Sequence, residues 1–195
     1  MPLLSLCRTF SRFPGHVLKR RLHIGRNVYI DRRASFDFRS ERSRPPSGVL
    51  RIGDGSTICC GAIICLYGGN VTIGRNCYIG PYSVIYGHGD VAIGDNVLIA
   101  NHATIVSSAH NYADASVLIA LQGELFLPVV IEDDVWIGSG ARILAGISLS
   151  TGVVVGANSV VTHSFEPFSV VYGAPARLYR YRCTAEDLPS VGLSI

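Results

Sequence analysis

Residues 131–162 read I-E-D-D-V-W-I-G-S-G-A-R-I-L-A-G-I-S-L-S-T-G-V-V-V-G-A-N-S-V-V-T. Within them an aliphatic residue returns at every sixth position: Ile131, Ile137, Ile143, Leu149, Val155 and Val161. A helix face repeats its apolar residues every three or four positions and a half-buried strand every two, so this period belongs to neither. It fits a chain that turns a corner after each short strand, with one large aliphatic per side of a triangular coil pointing inward. Upstream the same spacing returns in Ile52, Ile58 and Ile64, in Ile73, Ile79 and Ile85, and in Ile93, Ile99 and Ile105, with short insertions between the triplets. Ile24, Ile30 and Phe36 make a weaker first triplet. Three sides form a coil of about eighteen residues. The prediction is an all-β parallel helix of about six triangular coils, roughly 30 Å long at ~4.8 Å per coil.

The residues between the anchors agree. Glycine directly follows many of them (Gly25, Gly53, Gly74, Gly80, Gly94, Gly138, Gly156), as expected if a corner needs backbone freedom. Four positions after an anchor stand small or β-branched residues: Ser56, Ala62, Cys77, Ser83, Val97, Ala103, Ala109, Ala141 and Ser159. A narrow interior calls for that size.

With 195 residues and 48% apolar content, the composition fits one domain with a substantial core. No stretch approaches the ~20 apolar residues of a membrane span, and the apolar run at Leu3 to Cys7 is short for a signal-peptide core, so a soluble cytoplasmic protein is expected. Six cysteines without paired C-x-x-C spacing read as buried reduced thiols. The net charge of +3 conceals an asymmetry: residues 1–51 hold twelve basic and three acidic side chains, and the remainder five and eleven. Residues 1–22, with Arg8, Arg12, Lys19, Arg20 and Arg21 among Leu, Phe and Val, read as a short basic amphipathic helix. Such a segment either packs over the open end of the prism, touches an anionic membrane surface at the inner face or, in a eukaryote, acts as a targeting segment. Residues 23–182 then form the β-helix and 183–195 a tail.

The period fails between Ile105 and Ile131, where residues 111–128 form a protruding loop with His110 at its entrance. A regular prism has smooth faces, and a long loop leaving it is a natural way to wall a site. Imidazole accepts and returns a proton near neutral pH, which suits activation of a hydroxyl or amine. The other histidines (His16, His23, His88, His102, His163) read as structural. No nucleophile elbow, P-loop or dinucleotide fingerprint appears in a strand-to-helix context, and no nucleic-acid partner is implied.

The 131–162 segment, followed by Y-G-A-P-A-R at 172–177, strongly resembles the hexapeptide-repeat acyltransferases, nearest to the maltose, galactoside and polysaccharide O-acetyltransferases. The likeness runs over residues 49–182. It implies a left-handed parallel β-helix, a homotrimer with sites between neighbouring prisms, acetyl-CoA as co-substrate and no metal. His110 then corresponds to the general base, and the backbone N–H of Ser139 to the oxyanion donor. Trp136, Ser139, Ala157, Thr162, Arg177 and Arg180 correspond to positions along the cofactor. Where sugar acetyltransferases carry an asparagine-containing acceptor segment, this chain reads I-G-P-Y-S-V-I-Y-G-H-G-D, so Tyr82 and Tyr86 become acceptor candidates and simple disaccharides are disfavoured. The implied function is O-acetylation of a sugar hydroxyl in surface polysaccharide or lipopolysaccharide synthesis. N-acetylation of an amino sugar, or acetylation of a xenobiotic, is the nearest alternative. A γ-carbonic-anhydrase-like zinc protein needs closely spaced histidines, and His102 and His110 are eight apart. A non-catalytic scaffold is the remaining class.

Overall fold

The computed structural model describes residues 20–40 and 47–183. Short strands follow one another around three faces. The first face holds β1 (Leu22–Ile24), β4 (Leu50–Ile52), β7 (Val71–Ile73), β10 (Val91–Ile93), β15 (Val129–Ile131) and β18 (Ser148–Leu149). The second holds β2 (Tyr29–Ile30), β5 (Thr57–Ile58), β8 (Tyr78–Ile79), β11 (Leu98–Ile99), β16 (Trp136–Ile137) and β19 (Val154–Val155), continued by β21 (Ser169–Gly173) and β22 (Ala176–Tyr181). The third holds β3 (Ser35–Ser40), β6 (Ile63–Tyr67), β9 (Val84–Tyr86), β12 (Thr104–Val106), β17 (Arg142–Ile143) and β20 (Val160–Val161). Every pairing within these faces is parallel except the closing β21–β22 hairpin. The result is a left-handed parallel β-helix of six complete coils, an exception to the right-handed crossover rule. A partial seventh coil follows, where Phe165 bridges to Leu149 and β21 pairs with β19.

The register places anchor on anchor. Ile58, Ile79, Ile99, Ile137, Val155 and Val171 stack along the second face, and Ile64, Ile85, Ile105, Ile143 and Val161 along the third. All are buried. The first coil is weaker, as its sequence implies, because Ile24 is partly exposed while Phe36 and Phe38 close the core. Arg21 lies across that end, its guanidinium 5.4 Å from the Phe38 ring and its Nε donating to the Gly48 carbonyl at 2.8 Å. Apart from residues 20–22, the basic N-terminal segment lies outside the described residues, as does the tail beyond Cys183. Among the described residues no helix is long and apolar enough to cross a membrane.

Three expectations need correction. The glycine after an anchor does not supply unusual torsion angles. It lets coils approach: a Cβ on Gly53 would sit 2.5 Å from the Gly74 carbonyl carbon, and one on Gly138 2.6 Å from the Ala157 nitrogen. The left-handed residue comes two positions later, as Gly55, Asn76, Asn96, Asp134, Gly140 and Asn158. Asn and Asp tolerate that conformation because their short side chains bond locally. Second, Ala109 is not an interior residue. It is exposed on the loop, and Ser107 fills the buried position of that coil. Third, among the described residues the cysteines are free, but only Cys65 and Cys77 are buried; Cys59 and Cys60 are half-buried, Cys183 is exposed, and Cys7 lies outside the described residues.

Candidate functional site

The loop leaves at the edge where the third face meets the first. Ser107 fastens both of its ends. Its hydroxyl donates to the Tyr86 carbonyl at 2.8 Å and accepts from Gly89 N–H at 2.9 Å, and its carbonyl accepts from Leu127 N–H at 3.0 Å. Beyond it the chain forms a two-stranded antiparallel stalk, β13 (Ser108–His110) with β14 (Glu124–Phe126). The excursion is therefore a hairpin that begins at Ser108, before the expected start at residue 111. Gln122 braces its tip, donating to the carbonyls of Asp114 and Val117 at 2.8 Å each. A single 3-10 turn, Ile119–Leu121, leads into Gln122.

His110 is the last residue of the rising strand and stands directly opposite Glu124. Its Nδ1 lies 3.9 Å from Glu124 Oε1, with the imidazole mostly exposed and the carboxylate mostly covered. At that separation the carboxylate stands beside the ring without a direct hydrogen bond to it. Glu124 was not singled out in the sequence. Antiparallel pairing across a fourteen-residue span carries no local signature.

Ser139 occupies a different edge, where the second face meets the third, and is separated from the His110 edge by the whole third face. The Ser139 hydroxyl donates to Asn101 Oδ1 at 2.7 Å, and the Gly140 N–H donates to the Asn101 carbonyl at 3.0 Å. Ser139 N–H has no backbone acceptor among the described residues. Ala157 stacks on Ser139 one coil further, through Asn158 N–H to the Ser139 carbonyl at 2.8 Å. Trp136 is half-exposed on the second face between Leu98 and Val154. Along the same register Val154 meets Val170, and Val170 meets Arg180. Trp136 and the exposed β22 arginines, Arg177 and Arg180, therefore share one face.

Thr162 does not join this group. It ends the third face on the far side of Val160 and Val161, its hydroxyl 3.3 Å from His163 Nδ1. The two acceptor candidates also part. Tyr82 sits at the Ser139 edge, stacked on His102 at 5.4 Å, whereas Tyr86 lies at the loop edge. His102 is thus held away from His110, and among the described residues no three His, Cys, Asp or Glu side chains gather as metal ligands. Two arginines missed in the sequence brace the scaffold. Arg142 donates to the His102 carbonyl at 2.9 Å, and Arg182 ties the closing hairpin to Asp134 at 2.7 Å.

Residues 128–163 match the model described as the hexapeptide repeat of succinyl-transferase, and residues 70–107 the bacterial transferase hexapeptide of six repeats. Both matched stretches lie on the six-residue repeat. Among curated proteins the chain is similar to the galactoside O-acetyltransferase of Escherichia coli K12, 37% identical over 115 residues, covering 58% of this chain and 55% of that protein. The chain spans about half the length of the curated relatives it matches. The solved hexapeptide-repeat-containing acetyltransferase VCA0836 of Vibrio cholerae is 28% identical, with a TM-score of 0.56 over 91% of this chain and 86% of that one. The N-acyltransferase AntD of Bacillus cereus, solved with a dTDP-amino sugar and coenzyme A, superposes with a TM-score of 0.72 at 24% identity over 89% and 92% of the chains. At that identity the likeness concerns the fold.

Proposed function

We propose that this hexapeptide-repeat protein is an acetyl-CoA-dependent acetyltransferase acting on a sugar hydroxyl, with His110 as general base. The observation that carries the reading is the His110–Glu124 pair raised on a stalk beside a regular prism. An alcohol is a poor nucleophile until its proton is removed in the transition state, so a positioned imidazole suits a hydroxyl acceptor. His110 takes the acceptor proton as the acceptor oxygen bonds to the thioester carbonyl carbon. The carbonyl oxygen becomes an oxyanion facing Ser139 N–H. The C–S bond then breaks, and the coenzyme A sulfur leaves with the proton that His110 returns. Trp136, Ala157, Arg177 and Arg180 line the second face and its edge, where pantetheine and phosphates would lie; guanidinium suits phosphate.

Because His110 and Ser139 stand at opposite ends of the third face, the reading calls for a site completed by a neighbouring copy, as in a homotrimer. The apolar loop tip supports this. Leu118, Ile119 and Leu121 are exposed at 74%, 56% and 74%, more apolar surface than a monomer's loop keeps in water.

The test is His110→Ala. Acetyl transfer should fall by about 10²–10⁴-fold while coenzyme A binding and oligomeric state persist. Turnover like that of the unaltered protein would remove His110 from the mechanism. An acceptor screen read by thiol release would separate hydroxyl from amine acceptors.

A further inference from the structure

The departures from the six-residue period do not scatter. From Phe36 to Ile52, Ile64 to Ile73, Ile85 to Ile93 and Ile105 to Ile131 the anchor spacing exceeds six, and each of these gaps lies between the third face and the first. Four successive coils thus place their extra residues along one edge, the edge from which the His110 loop rises. In the two final complete coils the edge is bare: Ile143 to Leu149 is again six.

Those insertions deliver aromatic rings. Tyr67 stacks on His88 with ring centroids 4.3 Å apart and meets Tyr86 edge-on at 5.4 Å. Phe126, at the base of the stalk, lies nearly parallel to His88, 9° apart at 6.1 Å. Tyr67 is held at a φ of 47°, a conformation that a bulky residue rarely adopts and that surrounding structure must impose. Side chains on a stalk alternate, so Phe126 and Ser108 share a face with Glu124 and His110, two residues further along each strand. His110 therefore stands one pleat repeat, ~7 Å, above the aromatic floor. In the opposite direction the same register runs Val106, Tyr86, Cys65, Asp37, about 14 Å in three strand steps, with Cys65 covered and the half-buried Tyr67 two residues beyond it. It ends at the Asp37–Arg39 ion pair.

We infer that this elaborated edge is an extended acceptor groove, in which successive rings of a glycan stack on Tyr86 and Tyr67 while the hydroxyl to be acetylated is presented to His110. Flat half-buried rings with polar rims accept sugar faces, and Asp37 and Arg39 provide hydrogen-bonding partners at the far end. A groove of this length exceeds one ring. The inference rests on the acetyl-transfer reading above and names its substrate class.

The probes are methyl β-galactoside and methyl β-glucoside, with two-, three- and four-ring homologues of each, assayed by thiol release from acetyl-CoA. Longer probes should give kcat/KM about tenfold above the one-ring glycosides. Tyr86→Ala and Tyr67→Ala should abolish that length advantage by raising the acceptor KM, with the KM for acetyl-CoA unchanged. Tyr86→Phe should retain the advantage, since the ring remains. Coenzyme A binding and thermal unfolding identify variants that fail to fold. Loss of coenzyme A binding in the unaltered protein would sink the acetyl-transfer reading itself. With coenzyme A bound, a flat dependence on ring number, or no acceptor dependence with any probe, would overturn the groove alone.

Discussion

At the scale of single residues, the site depends on pairs that the chain brings together from a distance. In the proposed mechanism Glu124, 3.9 Å from the imidazole, acts on the ring rather than on the reacting atoms and is a positioning residue. Glu124→Gln should lower kcat by about tenfold while leaving both KM values and the melting temperature in place. A change in KM alone would assign it to substrate binding instead. Tyr67 offers a second reading by pH. Burial, ahead of the neighbouring Cys65, pushes its phenol from 10.0 up to about 12. A raised folded value means that the contribution to stability is whole below pH 10.0 and is lost as pH rises towards about 12. Tyr67→Phe, which cannot ionise, should therefore flatten the fall in melting temperature across that alkaline window. At the acid end, hydrogen bonds and charge from Arg75 hold Asp95 below its ordinary 3.8. Its contribution is present above 3.8 and disappears as pH falls through the lower folded value. These carboxylates are exposed, and their service is to cap the N–H of a turn residue in the preceding coil, Arg75 by Asp95 at 2.7 Å.

At the scale of elements, each strand is two to six residues long and would not persist alone. Stability comes from anchors stacked coil on coil, so losing one should be felt locally and strongly. Ile105→Ala removes a fully buried side chain between Ile85 and Ile143 and should cost about 2–5 kcal/mol in denaturant unfolding. The two kinds of glycine should separate in the same assay. Gly53→Ala drives a Cβ to 2.5 Å from backbone in the next coil and should cost about 1–3 kcal/mol, because two coils must part. Gly123→Ala meets nothing within 4 Å and bears only the strain of a φ of 78°, about 1 kcal/mol. A larger loss at Gly123 than at Gly53 would contradict close approach as the reason for the post-anchor glycines. The stalk is a separate element, and its antiparallel pairing places the His110 backbone on a strand rather than at the end of a free loop.

At the scale of the whole molecule, the proposed reading divides the site between the His110 edge and the Ser139 edge with the adjoining Trp136 face. Their completion by a second copy predicts a trimer by light scattering. Leu118→Ser with Leu121→Ser should weaken association and lower activity together, and a fully active monomer would remove the need for a shared site. The six-residue recurrence alone determined the parallel coil, the number of complete turns and the edge at which the loop leaves, because every coil repeats the same local requirement. His110, Trp136 and the arginines could be singled out there only as residues standing in a recognisable run. Only the tertiary structure decided that Glu124 faces His110, that Tyr82 and Tyr86 belong to different edges, and that Thr162 lies apart from Ala157. The physical reason is that anchors repeat along the chain and declare themselves by spacing. Side chains that share a site here come from different coils or opposite strands of a hairpin, and their meeting depends on the stacking register.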